Sequence, residues 1–199
     1  PVPHATDPPV TTIHVFMAHS THVTTQVSLS FDATAYADQT LVVFEELFEG
    51  NTSDPIATHV DPTDSGQQVH IKTPRIQTKA ADLADQDNVV SAEQDISVED
   101  VVTYSGLVPD KTYKLHATLM VKETAKPLAD AEGNPITVTQ AFTPDSPDGE
   151  VKVSFQLDAR TLAGQTLVVF ESLTHSGQEI ALHADLEDNN QTIEVRKPS

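Results

Sequence analysis

The chain has no cysteine and no tryptophan, only three tyrosines, and 11 lysines and arginines against 30 aspartates and glutamates. Without cysteine there is neither a disulfide nor a thiolate-ligated metal site. The shortage of large aromatics argues against a sugar-stacking surface. A net charge of −19 repels a nucleic-acid backbone or an anionic membrane surface, so neither is expected as a partner. No apolar run is long enough for a bilayer-spanning helix, and no secretory leader stands at the front, so membrane insertion is not expected of this stretch.

What is present favours strands and turns. Thirteen prolines and frequent Thr and Val point away from helix. Short strand signals fall near Gln77–Ala80, Val98–Tyr104, Tyr113–Val121, Pro135–Phe142, Glu150–Leu157, Thr166–Leu173, Glu179–Asp185 and Gln191–Arg196. The alternation is cleanest in Val151-Lys-Val-Ser-Phe155, where Val, Val and Phe share one face of a pleated strand. Turn chemistry separates the strands at Val108-Pro-Asp110, Glu132-Gly-Asn-Pro135, Ser146-Pro-Asp-Gly149 and Ser176-Gly177. This density of strands predicts an all-β chain built as an immunoglobulin-like two-sheet sandwich.

The sandwich signal occurs twice. Leu41-Val-Val-Phe-Glu45 returns as Leu167-Val-Val-Phe-Glu171. Val27–Phe31 returns as Val151–Phe155, and in both copies a His precedes a Gln by eight residues, His59 before Gln67 and His183 before Gln191. The repeat length of about 125 residues is an ordinary domain size. The expected division is the C-terminal part of a first domain over 1–73 and a complete second domain over 74–199, with Thr73-Pro-Arg75 too short for a flexible linker. Loops seldom keep a Glu, a His and a Gln at matching stations while most other polar residues change, so these stations read as a site.

Thr78-Lys-Ala-Ala-Asp82, Ser97–Leu107, Lys111–Leu115, Leu167–Glu171 and His183 with Gln191-Thr-Ile193, in this order, resemble the VaFE-repeat family. These are the Thr–Gln ester-bond domains of Gram-positive surface adhesins. The resemblance implies a domain whose first and last strands are joined by a self-formed ester. It places the nucleophile on Thr78, the acyl donor on Gln191, and the assisting groups on Asp100, Glu171 and His183. The chemistry asks for such residues. A Thr hydroxyl and a primary amide are both unreactive without help, and an imidazole suits the proton transfer. Two confined carboxyls will not both ionise, so Asp100 and Glu171 can share a proton, and one can hydrogen-bond the Gln carbonyl. Which of the two holds it stays open at the level of sequence.

The resemblance also implies a function: a stalk region of a cell-wall-anchored surface adhesin, its partners being neighbouring repeats of the same protein. It is not an enzyme, since the cross-link forms once. The alternatives are a module that binds a host surface ligand directly, and a split domain that forms an intermolecular ester. The first copy keeps Glu45, His59 and Gln67, with Gln68 as an alternative register, whereas its Thr and Asp stations fall before Pro1; Thr11 and Thr12 align with the Pro135–Phe142 strand instead. A Lys–Asn isopeptide bond from Lys79 to Asn189 or Asn190 is the nearest chemical rival, but Lys79 and Thr78 point to opposite faces of one strand. No cofactor and no metal is expected. The acidic loops at Asp61 and Asp64 and at Asp185, Glu187 and Asp188 read as solvated turns rather than Ca²⁺ sites, and His14, His19 and His22 lack a fixed ligand spacing.

Overall fold

The structure is a computed structural model that describes residues 9–197. The chain separates into two compact units, Pro1–Ile71 and Lys72–Ser199. The boundary falls at the Pro-containing segment between the two copies of the repeat.

The second unit is an immunoglobulin-like β-sandwich. Its first sheet is formed by β5 (Arg75–Asp82), β7 (Ile96–Ser105) and β11 (Gly149–Leu157), in the order β11-β7-β5 and antiparallel throughout. The second contains β6 (Val89–Ser91), β8 (Tyr113–Val121), β9 (Lys126–Pro127), β10 (Thr137–Phe142), β12 (Thr166–His175), β13 (Gln178–His183) and β14 (Thr192–Arg196). Its main path runs β10-β8-β12-β14-β6, with β13 on β12 and β9 on β8. The inward faces meet in an apolar core of Val98, Val102, Leu115, Leu119, Phe155, Leu167, Leu173 and Ile193, all 0 or 1% exposed. Inside–outside alternation along β7 and β11, and along β5 as far as Ala80, produces this core.

Two features escape the sequence pattern. β6 pairs in parallel with β14 and closes that edge of the sheet, although only three residues long. Gln191 does not open the last strand. It ends a 3-10 turn, Asn189–Gln191, and β14 begins at Thr192. The expected start at Gln191 is thus one residue early, because Asp188 caps the turn through its side chain and holds Gln191 out of the ladder.

The first unit shows four short strands, β1 (Thr40–Val42), β2 (Glu45–Leu47), β3 (Ala57–His59) and β4 (Gln68–His70). β1 pairs with β4 and β2 with β3, both antiparallel. Together β1 and β2 occupy the stations of β12, while β3 and β4 occupy those of β13 and β14. Gln67 is the one buried side chain among those described in this unit, and Ile13, Val15, Phe16, Phe44 and Ile56 are exposed. No counterpart of the β5–β7 pair occurs among its described residues.

Candidate functional site

β12 changes partner midway. Its first part, Thr166–Val168, pairs with β14, and its later part, from Glu171, pairs with β13. The β12–β13 hairpin turns at Ser176 and Gly177, both with positive φ as a type I′ turn requires, and a one-residue shift between Leu173 and Thr174 then sets Glu171 opposite His183. At the change of partner the carbonyl of Val169 is left without a strand to accept from, and Gln191 fills the gap. Its Nε2 donates to Val169 O at 2.7 Å and to Glu171 Oε2 at 2.7 Å, with His183 O at 3.4 Å. Backbone carbonyls on two sides fix which end of the amide carries the nitrogen.

The opposite sheet brings the remaining residues. On β5, Ile76, Thr78 and Ala80 point inward and Lys79 outward. On β7, Asp100 interrupts an inward row of Ile96, Val98, Val102 and Tyr104. Thr78 lies opposite Val102 and Ala80 opposite Asp100, so Thr78 and Asp100 are diagonal neighbours on one face. Asp100, Glu171 and Gln191 are 0–1% exposed and Thr78 6%. Thr78 Oγ1, both carboxyl oxygens of Asp100, Glu171 Oε1, His183 Nδ1 and Gln191 Oε1 are buried with no hydrogen bond of ordinary geometry, although Thr78, Asp100 and Glu171 lie close enough for each carboxyl to feel the other two groups. Folded proteins rarely leave so many polar atoms unpaired in one place. The cluster is a store of reactive, poorly solvated groups.

Their electrostatics follow from burial. Burial raises the Asp100 carboxyl above its usual range. Burial, then the neighbouring charge of Asp100, pushes Glu171 up to about 10. One proton therefore stays on the pair at neutral pH. Glu171 meets the Gln191 amide through its nitrogen, and the Gln191 carbonyl oxygen is left free. This differs from the sequence expectation that an acid would hydrogen-bond the carbonyl.

His183 Nε2 lies 3.1 Å from Asp188 Oδ2, while Oδ1 of the same carboxyl accepts from Asn190 N at 2.8 Å. Asp188 thus grips the imidazole and the turn that carries Gln191 at once. An N–H on Nε2, donated to Asp188, leaves the lone pair on Nδ1, the buried atom with no partner. Sequence reading had Asp188 only as part of an acidic loop. The signal that would have found it is the repeat: Asp64 stands three residues before Gln67 as Asp188 stands before Gln191.

The first unit reproduces this half of the site. Gln67 Nε2 donates to Val43 O at 2.7 Å and to His59 O at 3.0 Å, Glu45 lies opposite His59, and His59 Nε2 is 3.0 Å from Asp64 Oδ2. Gln67 is buried, whereas Gln68 is exposed and donates to Pro62 O, so Gln67 is the structural counterpart of Gln191. Unlike Gln191, Gln67 has its carbonyl oxygen engaged, accepting from Asp61 N at 3.3 Å. Thr11 and Thr12 are exposed, outside any strand. In the acidic loops, Asp61 accepts from Thr63 N and Asp185 from Glu187 N, so both serve as turn-formers. Among the described residues no group of His, Asp and Glu could hold a metal ion.

A family model described as "T-Q ester bond containing domain" matches residues 2–71 and 74–195. Among solved structures, an adhesin from Mobiluncus mulieris containing intramolecular disulfide, isopeptide and ester bond cross-links is similar in two crystal forms. The TM-scores are 0.54 and 0.53 at 16% identity, covering 64% of this chain and 58% of that one. The chain therefore spans a little over half the length of that adhesin structure, and the likeness shows a shared fold. No curated protein sequence matches the chain. With two matches that take in nearly its whole length, the chain belongs to the family of T-Q ester bond containing domains.

Proposed function

We propose that the second unit cross-links itself through an ester between Thr78 Oγ1 and Gln191 Cδ, and that the chain is part of the stalk of an extracellular surface adhesin. The observation that carries this reading is the convergence of a buried Thr, a buried Gln, two buried acids and an imidazole between two sheets, with Glu171 in reach of Thr78, Asp100 and Gln191. His183 Nδ1 takes the hydroxyl proton as Oγ1 attacks Cδ. The pair's one proton goes to the leaving nitrogen, and His183 then returns the hydroxyl proton to the pair, so that no net proton is gained or lost. Glu171 Oε2, already 2.7 Å from the amide nitrogen, is well placed to protonate it as the Cδ–Nε2 bond breaks and ammonia leaves. Packing holds the reactants together, which supplies an effective concentration of order 10⁵–10⁸ M. The event happens once per chain, so it is assembly chemistry rather than turnover.

The ester ties β5 of one sheet to the turn before β14 of the other, and so locks the two sheets at one edge. A pull that would otherwise slide the sheets apart then loads a covalent bond. That is the property a stalk needs, and the adhesin described above, which contains ester cross-links, supports placing this chain on a cell surface beside neighbouring repeats. The test is intact mass. The wild-type chain should be one ammonia lighter than its sequence, and Thr78→Ala or Gln191→Ala should restore the full value. An unmodified wild-type mass overturns the reading. Binding of the isolated chain to immobilised host matrix or glycan would instead favour an adhesive module.

A further inference from the structure

Each acid of the reactive cluster stands between two cross-strand neighbours. Asp100 has Val153 of β11 on one side and Ala80 of β5 on the other; Glu171 has His183 of β13 and Ala117 of β8. Ala80 is 2% exposed and Ala117 0%. The other buried, inward residues of β8 are Tyr113, Leu115 and Leu119, so Ala117 is the gap in a row of large side chains. Cβ atoms directly opposite one another lie about 4.5–5.5 Å apart. A leucine at either alanine would take the room the carboxyls occupy, and a serine would offer them an O–H. Alanine does neither. The side chains in hydrogen-bonding reach of Glu171 are Asp100, Gln191 and Thr78, and those in reach of Asp100 are Glu171 and Thr78. All of them take part in the reaction proposed above. Asp100 is also approached by the backbone N–H of Lys79.

We propose that Ala80 and Ala117 are positioning residues for the cross-linking reaction: opposite each acid they set a methyl in place of a donor, so that the carboxyls have no side chain to bond except those that react. The inference rests on the ester reading above. The pair's one proton must reach the leaving nitrogen, and a carboxylate given a hydroxyl to accept from ionises more readily. Above the pH at which the pair is ionised, no proton remains for the nitrogen and the amide stays. The titratable groups facing this space are Asp100, Glu171 and His183, with Asp188 against the imidazole; Lys79 points away from it. The two methyls therefore keep the proton available to higher pH.

The experiment uses the whole chain, assembled unfolded from synthetic fragments so that no ester exists at the start. It is diluted from urea into buffers of rising pH, and ammonia loss is timed by intact mass. In Ala117→Ser the alkaline fall in rate should set in at a pH lower by about one to two, a loss of roughly 5–50-fold at about pH 10 with little change near pH 6. Ala80→Ser should move the profile in the same direction. α-Aminobutyrate in place of Ala117 adds a methyl where Ser adds a hydroxyl, and should leave the pH dependence where it was. In the Thr78→Ala background, where no ester forms, carbon-13 titration of the Glu171 carboxyl should show the same downward move for Ala117→Ser. A profile and a titration midpoint that stay put overturn the proposal. So does an equal shift with α-aminobutyrate, which would mean that only volume counts. If Ala117→Ser does not fold, Ala80→Ser decides by the same criterion. A wild-type chain that never loses ammonia overturns the ester reading and this inference with it, whereas a wild type that cross-links beside unmoved Ser variants overturns the inference alone.

Discussion

The two units carry the same glutamine socket in different company. Around Gln67 and Gln191 three features match: a carbonyl at the change of strand partner, a carbonyl of the paired His, and an Asp that caps the 3-10 turn and holds the imidazole. Around that socket the second unit lays β5 and β7, with Thr78 and Asp100, over an apolar core. Among the described residues, the first unit has fifteen of the eighteen exposed large apolar side chains, and its socket is free-standing. The acyl-donor half is thus a local structure, built by a hairpin and one capped turn, that forms without its nucleophile. Reactivity is what the distant strands add. Gln67 shows the consequence: with no acid pair facing it, its carbonyl oxygen turns to a backbone N–H, whereas that of Gln191 stays unpaired.

The largest effect should come from making the second unit chemically like the first. Thr78→Ala removes the nucleophile and leaves the strand, and the cross-link should disappear completely. The two cross-linked positions are 113 residues apart in sequence. By analogy with a disulfide closing a loop of that size, the variant should lose about 4–5 kcal/mol of unfolding free energy, chiefly through a less restricted unfolded chain. Denaturant titration of the two proteins measures this directly. A variant as stable as wild type would mean that the ester, even if formed, does not constrain the unfolded chain.

The comparison also explains what the sequence made legible. The matching stations of Glu, His and Gln stand out because they survive in two copies otherwise changed, and the alternation in β5, β7 and β11 follows from one buried face. Thr78 and Asp100 had no second copy to compare with and came from the resemblance alone. Strand ends moved by at most two residues, as at Thr137, where the ladder starts two residues after Pro135. β6 was missed because three residues, Val89–Ser91, carry no period, and their pairing partner lies a hundred positions away. Asp188 was missed because its role is a matter of direction: one oxygen on a ring, the other on a turn.

Asp188 supplies the next test, since the same Asp–His pair stands in both units. Asn retains a cap oxygen for Asn190 N, but its amide can present an N–H to Nε2 and so favour the other tautomer of His183. Asp188→Asn should slow cross-linking by roughly 10²–10⁴-fold, in the range that a misdirected general base costs. Asp188→Ser keeps a cap and offers His183 no carboxylate, so it should also be slow. Time-resolved mass spectrometry of freshly refolded chain gives the rates. If Asp188→Ser cross-links at the wild-type rate, the carboxylate serves only the turn. Asp64→Asn, made in the first unit, should leave the rate in the second unchanged.

The acid pair separates the units in a gentler way. Burial raises both Asp100 and Glu171 in the folded second unit. The folded state therefore holds their proton more tightly than the unfolded chain. Stability from this source is greatest below the ordinary Glu value of 4.5 and falls as pH rises towards the folded value of about 10. The slope cannot exceed about 1.4 kcal/mol per pH unit for one proton. In the Thr78→Ala background, where no ester masks it, Glu171→Gln should gain on its parent as pH rises from 5 to 9 by an amount of that order per unit. Equal pH profiles would mean that the pair is not buried as a proton-sharing unit.

The smallest yield, and the sharpest comparison, should come from supplying the first unit with what surrounds Gln191. A peptide spanning residues 75–105 carries the β5 and β7 sequences with Thr78 and Asp100. Added to a Gln191→Ala chain, in which only the first-unit socket can react, it should form a covalent adduct at Gln67 with loss of one ammonia. The adduct should survive boiling in detergent and vanish with Gln67→Ala. Conversion should be partial and slow, because the peptide must surrender translational freedom and order two strands before any bond forms, a cost the second unit meets within its own fold. A Thr78→Ala peptide should bind without labelling. If the matched peptide gives no adduct while the second unit still cross-links, the socket around Gln67 is a structural plug for the Val43 carbonyl and nothing more. An ester from Gln67 to Thr11, Thr12 or another Thr of the first unit would break the correspondence between the two copies.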